Sequence, residues 1–382
     1  MEGYGNSLSF VVGKEEENNK EKRRSLNIDC QDHERAAIAQ IALESSRYNE
    51  NPNGNCTTKE GFNWENKPIK PAKVPKKLKI FTLTWNMYGN SPPEDLSSLL
   101  PTTHSHHIIA ISSQECLRSI SKSLIYSSKK SWELQLTQFL VPNYSLFASG
   151  SLGSIHLVIF ISNSIQNQVS VPMIQTVKTG LGNVVGNKGG VGIKFNVGNT
   201  SLLFISCHLA SGQTSIKKRN ENFARIEKNL LKQLGTEPAS DLVDACIYMG
   251  DFNYRINAKK QDAEHLISVN ILYPLRCGDQ LFHEMNKNPI FFGFQEGILN
   301  FAPTYKFNAG SNQYDTSQKN RVPSWTDRIL YKSKKLLKLI KYDSINTTFN
   351  SDHRPVYAQF VLDYYSSPNP QLTRQSKTCV IT

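Results

Sequence analysis

Long apolar stretches are what this sequence has least of. No apolar run approaches ~18 residues, the length at which a spanning helix is expected, and the first residues carry charge instead of an apolar signal core. Neither secretion nor a membrane-spanning helix is expected. Cysteine is sparse and unpatterned. Cys30, Cys56, Cys116, Cys207, Cys246, Cys277 and Cys379 stand without CxxC spacing, which argues for reduced thiols in a cytosolic protein and against a disulfide framework or a zinc site. A GK[ST] loop and a properly placed GxGxxG are both missing, so the phosphate-cradling loops of nucleotide-binding folds are excluded. No internal repeat is visible.

Negative charge is also under-represented. Asp and Glu number 32 against 44 Lys and Arg, a formal net charge of +12. That balance favours anionic partners: nucleic acid, anionic lipid or a phosphorylated small molecule. With 382 residues and 38% hydrophobic side chains, the chain can bury a substantial core.

Residues 1–77 differ from the rest. The segments 13–24 and 49–55 are dense in Glu, Lys, Asn, Pro and Gly, and cannot bury enough apolar surface to order themselves. Between them, 32–47 carries Ala, Ile and Leu at helical spacing behind Asp32 as a candidate N-cap, which makes a short helix there an expectation. The proline-spaced basic stretch 67–77 reads as a linker. From Leu78 the pattern becomes short β-branched or aromatic runs, predicting strands at 79–85, 107–111, 155–161, 191–196, 202–208, 245–250, 328–331 and 355–362. Helices are predicted at 131–139 and at 217–234, the latter with Phe223, Ile226, Leu230 and Leu234 on one stripe. The chain reads as α/β with a sheet-rich core.

Polar residues recur where those strands end. Asn86 follows FTLTW, Glu115 follows IIAISSQ, His208 closes LLFISC, and Asp251 and Asn253 follow CIYMG. Asp327 precedes RILY, and Asp352 and His353 precede RPVYAQF. A single such residue most often only caps a turn. The whole series, each beside an apolar strand, points to a rigid scaffold presenting reactive groups. The chemistry it suits is phosphate-ester hydrolysis. Glu115, with Asn86 beside it, suits Mg²⁺, which takes few protein carboxylates and keeps waters. Asp251 with Asn253 can orient and deprotonate a water. His353, its tautomer fixed by Asp327, can donate to a phosphoryl oxygen, and His208 offers a second donor.

These motifs resemble the inositol polyphosphate 5-phosphatases. GDFNYRI (250–256) and PSWTDRILYK (323–332) are similar to that family's paired signatures. TWNMYGN, SSQEC, GNVVGNKGGVGIKF, CHLASG, GFQEGILNFAPTYKF and SDHRPVYAQF follow its other motifs in the same order. The resemblance spans about 78–362. It implies two packed mixed β-sheets flanked by helices, the four-layer sandwich of the endonuclease/exonuclease/phosphatase type, over a catalytic domain at 78–364. It also implies Glu115 as principal Mg²⁺ ligand with Asn86 and Asp352 near the metal. Asp251 and Asn253 would then position water, Asp327 and His353 form a supporting dyad, and His208 touch the scissile phosphate. Cys116, Cys207 and Ser112–Ser113 depart from the usual pattern without removing a catalytic group.

Other segments address substrate and membrane. In the glycine-rich stretch 182–192, Asn187 and Lys188 are candidate phosphate contacts. Tyr305, Lys306, Lys319 and Arg321 lie upstream of Trp325, and the resemblance implies contact with a neighbouring 4-phosphate. Phe291, Phe292 and Phe294 cluster around Gly293; as membrane contacts they would dip into lipid at the mouth of the site, and as core they would be buried. The sequence ends Cys379-Val380-Ile381-Thr382, a CaaX pattern behind a polar tail at 365–382, so prenylation of Cys379 and a peripheral place on the cytosolic face of a membrane are expected. The substrate would be phosphatidylinositol 4,5-bisphosphate, the 3,4,5-trisphosphate lipid, or soluble inositol 1,4,5-trisphosphate. The competing readings are a nuclease of the same superfamily, which the basic charge also suits, and a catalytically silent lipid-binding module. The second would require loss of Glu115, Asp251 or His353, and all three are present.

Overall fold

Every strand read from an apolar run is present in the computed structural model, which describes residues 76–116, 128–180 and 188–365. They are β1 (Lys76–Asn86), β2 (Ile108–Gln114), β4 (Ile155–Ser162), β6 (Gly189–Val197), β7 (Thr200–His208), β8 (Ala245–Asp251), β10 (Asp327–Ser333) and β12 (Val356–Tyr364). The strands β3 (Tyr144–Leu152), β5 (Met173–Lys178), β9 (Gln295–Glu296) and β11 (Leu337–Ser344) join them. Helices are α1 (Ser128–Leu140), α2 (Ile216–Asn229), α3 (Lys260–Ser268), α4 (Tyr273–Cys277) and α5 (Gln280–Lys287). The expectations for 1–75, for Asn187 and for the tail with Cys379 lie outside the described residues.

The strands form two six-stranded sheets among the described residues, ordered β11-β12-β1-β2-β4-β3 and β5-β6-β7-β8-β10-β9. The pairs β1–β2 and β7–β8 are parallel and the rest antiparallel, so both sheets are mixed. Period-two alternation decides which side each residue faces. Leu78, Ile80, Ile108, Ala110, Phe204, Ile247 and Phe360 meet in the layer between the sheets. The opposite face of β1 and β2 (Phe81, Leu83, Ile109, Ile111) packs under Trp132 and Leu136 of α1. The opposite face of β7 and β8 packs under Phe223 and Ile226 of α2. The result is the expected helix–sheet–sheet–helix stack.

Three sequence expectations change. The second helix stops at Asn229 because Leu230 turns to ψ 132° and Leu231 to φ 63°, which buries Leu231 and leaves Leu234 45% exposed. The glycines of 189–192 belong to strand β6. A Cβ on Gly190 would sit 2.9 Å from Ile226 and one on Gly192 2.4 Å from Leu230, so they let α2 close on the sheet. Finally, Phe291 and Phe294 are core, not lipid contacts. Their rings lie 4.5 and 5.4 Å from Phe223, and they are 1% and 8% exposed. Phe292 is 65% exposed, but its neighbour Gly293 abuts Lys332, at the end of β10 remote from Asp327. At 3.4 Å per residue that is roughly 17 Å from the strand ends that carry the site. Cys116, Cys207 and Cys246 are buried thiols outside any disulfide, as expected, but the expectation of reduced thiols fails at Cys277, which is disulfide-bonded.

Candidate active site

The register places the polar series at one end of both sheets. Asn86 is paired with Gln114, immediately before Glu115, while Asp251 of β8 is paired with His208 of β7 on one side and Asp327 of β10 on the other. Val356 pairs with Thr84, which brings Asp352 and His353 to the same end. Cross-links fix the arrangement. Ser351 Oγ donates to the carbonyl of Asn86 at 2.6 Å and accepts from the His353 amide at 3.1 Å. Trp85 Nε1 donates to the His353 carbonyl at 3.3 Å.

Three non-glycine residues here hold left-handed backbone: Tyr88 (φ 53°), Glu115 (φ 51°) and Asn253 (φ 59°). Each costs on the order of 1–3 kcal/mol, a strain that recurs where a side chain must be aimed. Gly250 answers a different need. Its φ is +151° and a Cβ would lie 2.1 Å from the Cys207 carbonyl, so only glycine lets β8 reach Asp251 beside β7.

Asp251 joins the two sheets. Its Oδ2 accepts from Asn86 Nδ2 at 3.0 Å and lies 3.1 Å from His208 Nε2, and its Oδ1 accepts from the Asn253 amide at 2.9 Å. Burial would push this carboxyl up, but His208, His353 and Lys188 together hold it well below the usual carboxylate range. His208 is held below its ordinary value by burial and then by Lys188, against the pull of Asp251 and Glu115. Lys188 Nζ sits against His208 Nε2, and His208 Nδ1 is buried with no protein partner.

His353 behaves in the opposite way. Burial opposes its charge, but Asp327, through its charge and a 2.7 Å contact to Nδ1, then Asp352 and Asp251, raise it to about 10. Asp327 is itself raised by burial, with His353 pulling it down. Thr326 and Thr304 donate to the same Asp327 oxygen at 2.9 and 3.3 Å. The imidazolium Nε2 lies 3.8 Å from Asp352 Oδ1, beyond hydrogen-bond reach, which leaves its N–H for another acceptor.

The oxygen donors suited to a cation are few. Among the described residues no three His, Cys, Asp or Glu side chains converge as a metal cage. Glu115 is half-buried, Asn86 Oδ1 already accepts from the Tyr88 amide at 3.0 Å, and Asp352 Oδ1 is buried without a hydrogen-bond partner. A sparse, all-oxygen set with one orphaned carboxylate oxygen fits a hard, largely hydrated dication such as Mg²⁺.

The specificity candidates divide. Tyr305 lies over the His353 ring at 4.5 Å, and Lys306 Nζ contacts Asp352 Oδ2 at 2.7 Å, which raises the lysine against its burial. Lys319 is exposed and Arg321 half-buried, on a loop in which Asp315 accepts from the Arg321 amide at 2.9 Å. Sequence reasoning missed Arg255. It donates to Asn253 Oδ1 at 2.5 Å and to the Asn253 carbonyl at 3.1 Å, with its guanidinium 4.3 Å from the Tyr305 ring. Its place within GDFNYRI, two residues beyond Asn253, was the available signal.

Comparison with known proteins follows the same lines. The Endonuclease/Exonuclease/phosphatase family 2 pattern matches residues 83–359. The type IV inositol polyphosphate 5-phosphatase 11 of Arabidopsis thaliana is 33% identical over 297 residues, covering 76% of this chain and 84% of the plant protein. Synaptojanin of Caenorhabditis elegans is 32% identical over 318 residues, covering 76% of this chain but 28% of its own length. The chain thus spans only 20% to 28% of the length of the synaptojanins it matches. In structure, the 5-phosphatase domain of SPsynaptojanin, in complex with inositol (1,4)-bisphosphate and calcium, superposes with TM-score 0.69 and 31% identity, covering 80% of this chain and 89% of that domain.

Proposed function

The chain belongs to the endonuclease/exonuclease/phosphatase family and, within it, to the inositol polyphosphate 5-phosphatases, and from that premise we propose that it hydrolyses the 5-phosphate of phosphorylated inositol with Mg²⁺ as cofactor. The observation that carries the reading is the juxtaposition of a cationic His353, locked to Asp327, with an ionised Asp251 between the two sheets. One group donates to a phosphoryl oxygen and the other faces the attacking water. The SPsynaptojanin domain supports the regiochemistry, because inositol (1,4)-bisphosphate is what inositol 1,4,5-trisphosphate becomes on losing its 5-phosphate.

Asp251 and the Asn253 side chain orient a water for in-line attack on phosphorus. Asp251, kept ionised by His208, His353 and Lys188, is in the state that can orient the water and accept its proton. His353 Nε2–H donates to a phosphoryl oxygen, and Lys188 and His208 face the same group. Held by Glu115, with Asn86 and Asp352 beside it, Mg²⁺ would neutralise charge developing on the phosphoryl and leaving oxygens. Lys306, Lys319 and Arg321 would grip the neighbouring 4-phosphate, Lys306 after leaving Asp352.

Substrates of this class include phosphatidylinositol 4,5-bisphosphate, the 3,4,5-trisphosphate lipid and soluble inositol 1,4,5-trisphosphate. Net charge +12 supports action at an anionic membrane, and prenylation of Cys379 would supply an anchor. Isoprenoid incorporation lost in Cys379→Ser would establish the second point. For the reaction, purified protein with Mg²⁺ should release phosphate from inositol 1,4,5-trisphosphate, stop with EDTA, and stop in folded Asp251→Ala and His353→Ala. Full activity in either folded variant would defeat the assignment, and cleavage of abasic DNA without phosphate release would favour the nuclease reading.

A further inference from the structure

The layer between the sheets is apolar along most of its length, but one band of it is not. Ser112 Oγ of β2 and Ser206 Oγ of β7 lie 2.6 Å apart, a direct hydrogen bond from one sheet to the other. Gln114 Nε2 donates to Ser112 Oγ at 2.7 Å and to Thr84 Oγ1 of β1 at 3.3 Å. All four side chains are completely buried.

The placement of this band follows from the pleat. Thr84 lies two residues before Asn86, Ser112 two before Gln114, and Ser206 two before His208. With a side-chain period of two, the three hydroxyls face inward one step beneath the layer that holds the reactive groups. That upper layer is divided: Asn86 and Glu115 come from one sheet, and His208, Asp251 and Asp327 from the other. Its chemistry depends on the separation of the two halves.

Apolar packing between sheets is non-directional and tolerates a slide. A buried hydroxyl pair does not, because a shift of about one ångström breaks the bond and strands Ser206 Oγ.

We propose that Ser112, Ser206 and Gln114 form a register key between the sheets, holding the cation-binding side (Glu115, Asn86) at a fixed distance from the water-orienting side (Asp251, His208). They are positioning residues, and the proposal rests on the functional reading above.

The test uses Ser112→Ala, Ser206→Ala and the double variant, with kcat and KM for inositol 1,4,5-trisphosphate, Mn²⁺ affinity by electron paramagnetic resonance, and Tm. Ser206→Ala keeps the Gln114–Ser112 bond, and the double variant removes both hydroxyls of the inter-sheet bond while Gln114 Nε2 keeps Thr84 Oγ1, so the two together guard against loss of fold in Ser112→Ala. The expected result is a fall in kcat and a weakening of Mn²⁺ binding of about tenfold each. KM should stay within about twofold, and the double variant should be no worse than the worse single one. Wild-type kcat and Mn²⁺ affinity in the double variant would overturn the key, whatever its Tm. A wild-type protein that binds Mn²⁺ without releasing phosphate would defeat the functional reading instead, with the key then decided by Mn²⁺ affinity alone. Failure of the wild type to bind Mn²⁺ would overturn the key.

Discussion

His353 keeps a proton that burial alone would remove, and the carboxylate of Asp327 is the cause. The sign of the consequence is fixed. A histidine raised to about 10 contributes stability that is fully present below its unfolded value near 6.5 and is lost as pH rises through about 10. If the imidazolium is the donor, activity falls over the same alkaline range. Asp327→Asn removes the charge that supports it, so the alkaline limb of the pH–rate profile should move down by at least one unit, with kcat lower by about a hundredfold or more. An unmoved alkaline limb would show that another group sets it. Arg255 offers a second test at this scale. Arg255→Ala frees Asn253 Oδ1, leaving the side chain held only through Nδ2 on the Leu209 carbonyl, and should lower kcat about tenfold while leaving KM nearly unchanged. The candidate-site residues were legible in the sequence because each lies at the end of an apolar strand. Arg255, Thr304, Thr326 and Ser351 were not, because their work is to hold another side chain and no periodicity marks that.

Elements were legible in proportion to their burial. Strands such as β2 and β8, buried along their whole length, stand out as apolar runs, whereas β3 (YSLFASGSL) and β11 (LKLIKYDS) mix exposed and half-buried positions and escape that criterion. The α3–α5 helices are short and carry too few turns for a stripe to show. The phenylalanine cluster teaches the converse lesson. Three aromatics around a glycine do not reveal which ring faces the core, and only packing against Phe223 decides it. Phe291→Ala should therefore cost about 3–5 kcal/mol, read as a large drop in Tm or denaturation midpoint. Phe292→Ser should stay within about 0.5 kcal/mol and leave hydrolysis of vesicle-borne lipid unchanged. A selective loss of vesicle activity in Phe292→Ser would restore it as a membrane contact.

At the scale of the molecule, the candidate site is assembled from the strand ends of both sheets. Charge acts over the same scale. With net +12, hydrolysis of phosphatidylinositol 4,5-bisphosphate in anionic vesicles should weaken between about 0.05 and 0.3 M salt far more than hydrolysis of a soluble short-chain analogue, because screening shortens the reach of surface attraction. Equal salt dependence for both would place the attraction within the site instead of on the surface. The central claim concerns which ester is broken, and phosphorus NMR of the product made from inositol 1,4,5-trisphosphate tests it most directly. The account predicts the 1,4-bisphosphate alone, formed with Mg²⁺ and not with EDTA. The 1,5- or 4,5-bisphosphate, or unchanged substrate under conditions where the protein is folded and supplied with Mg²⁺, would contradict it.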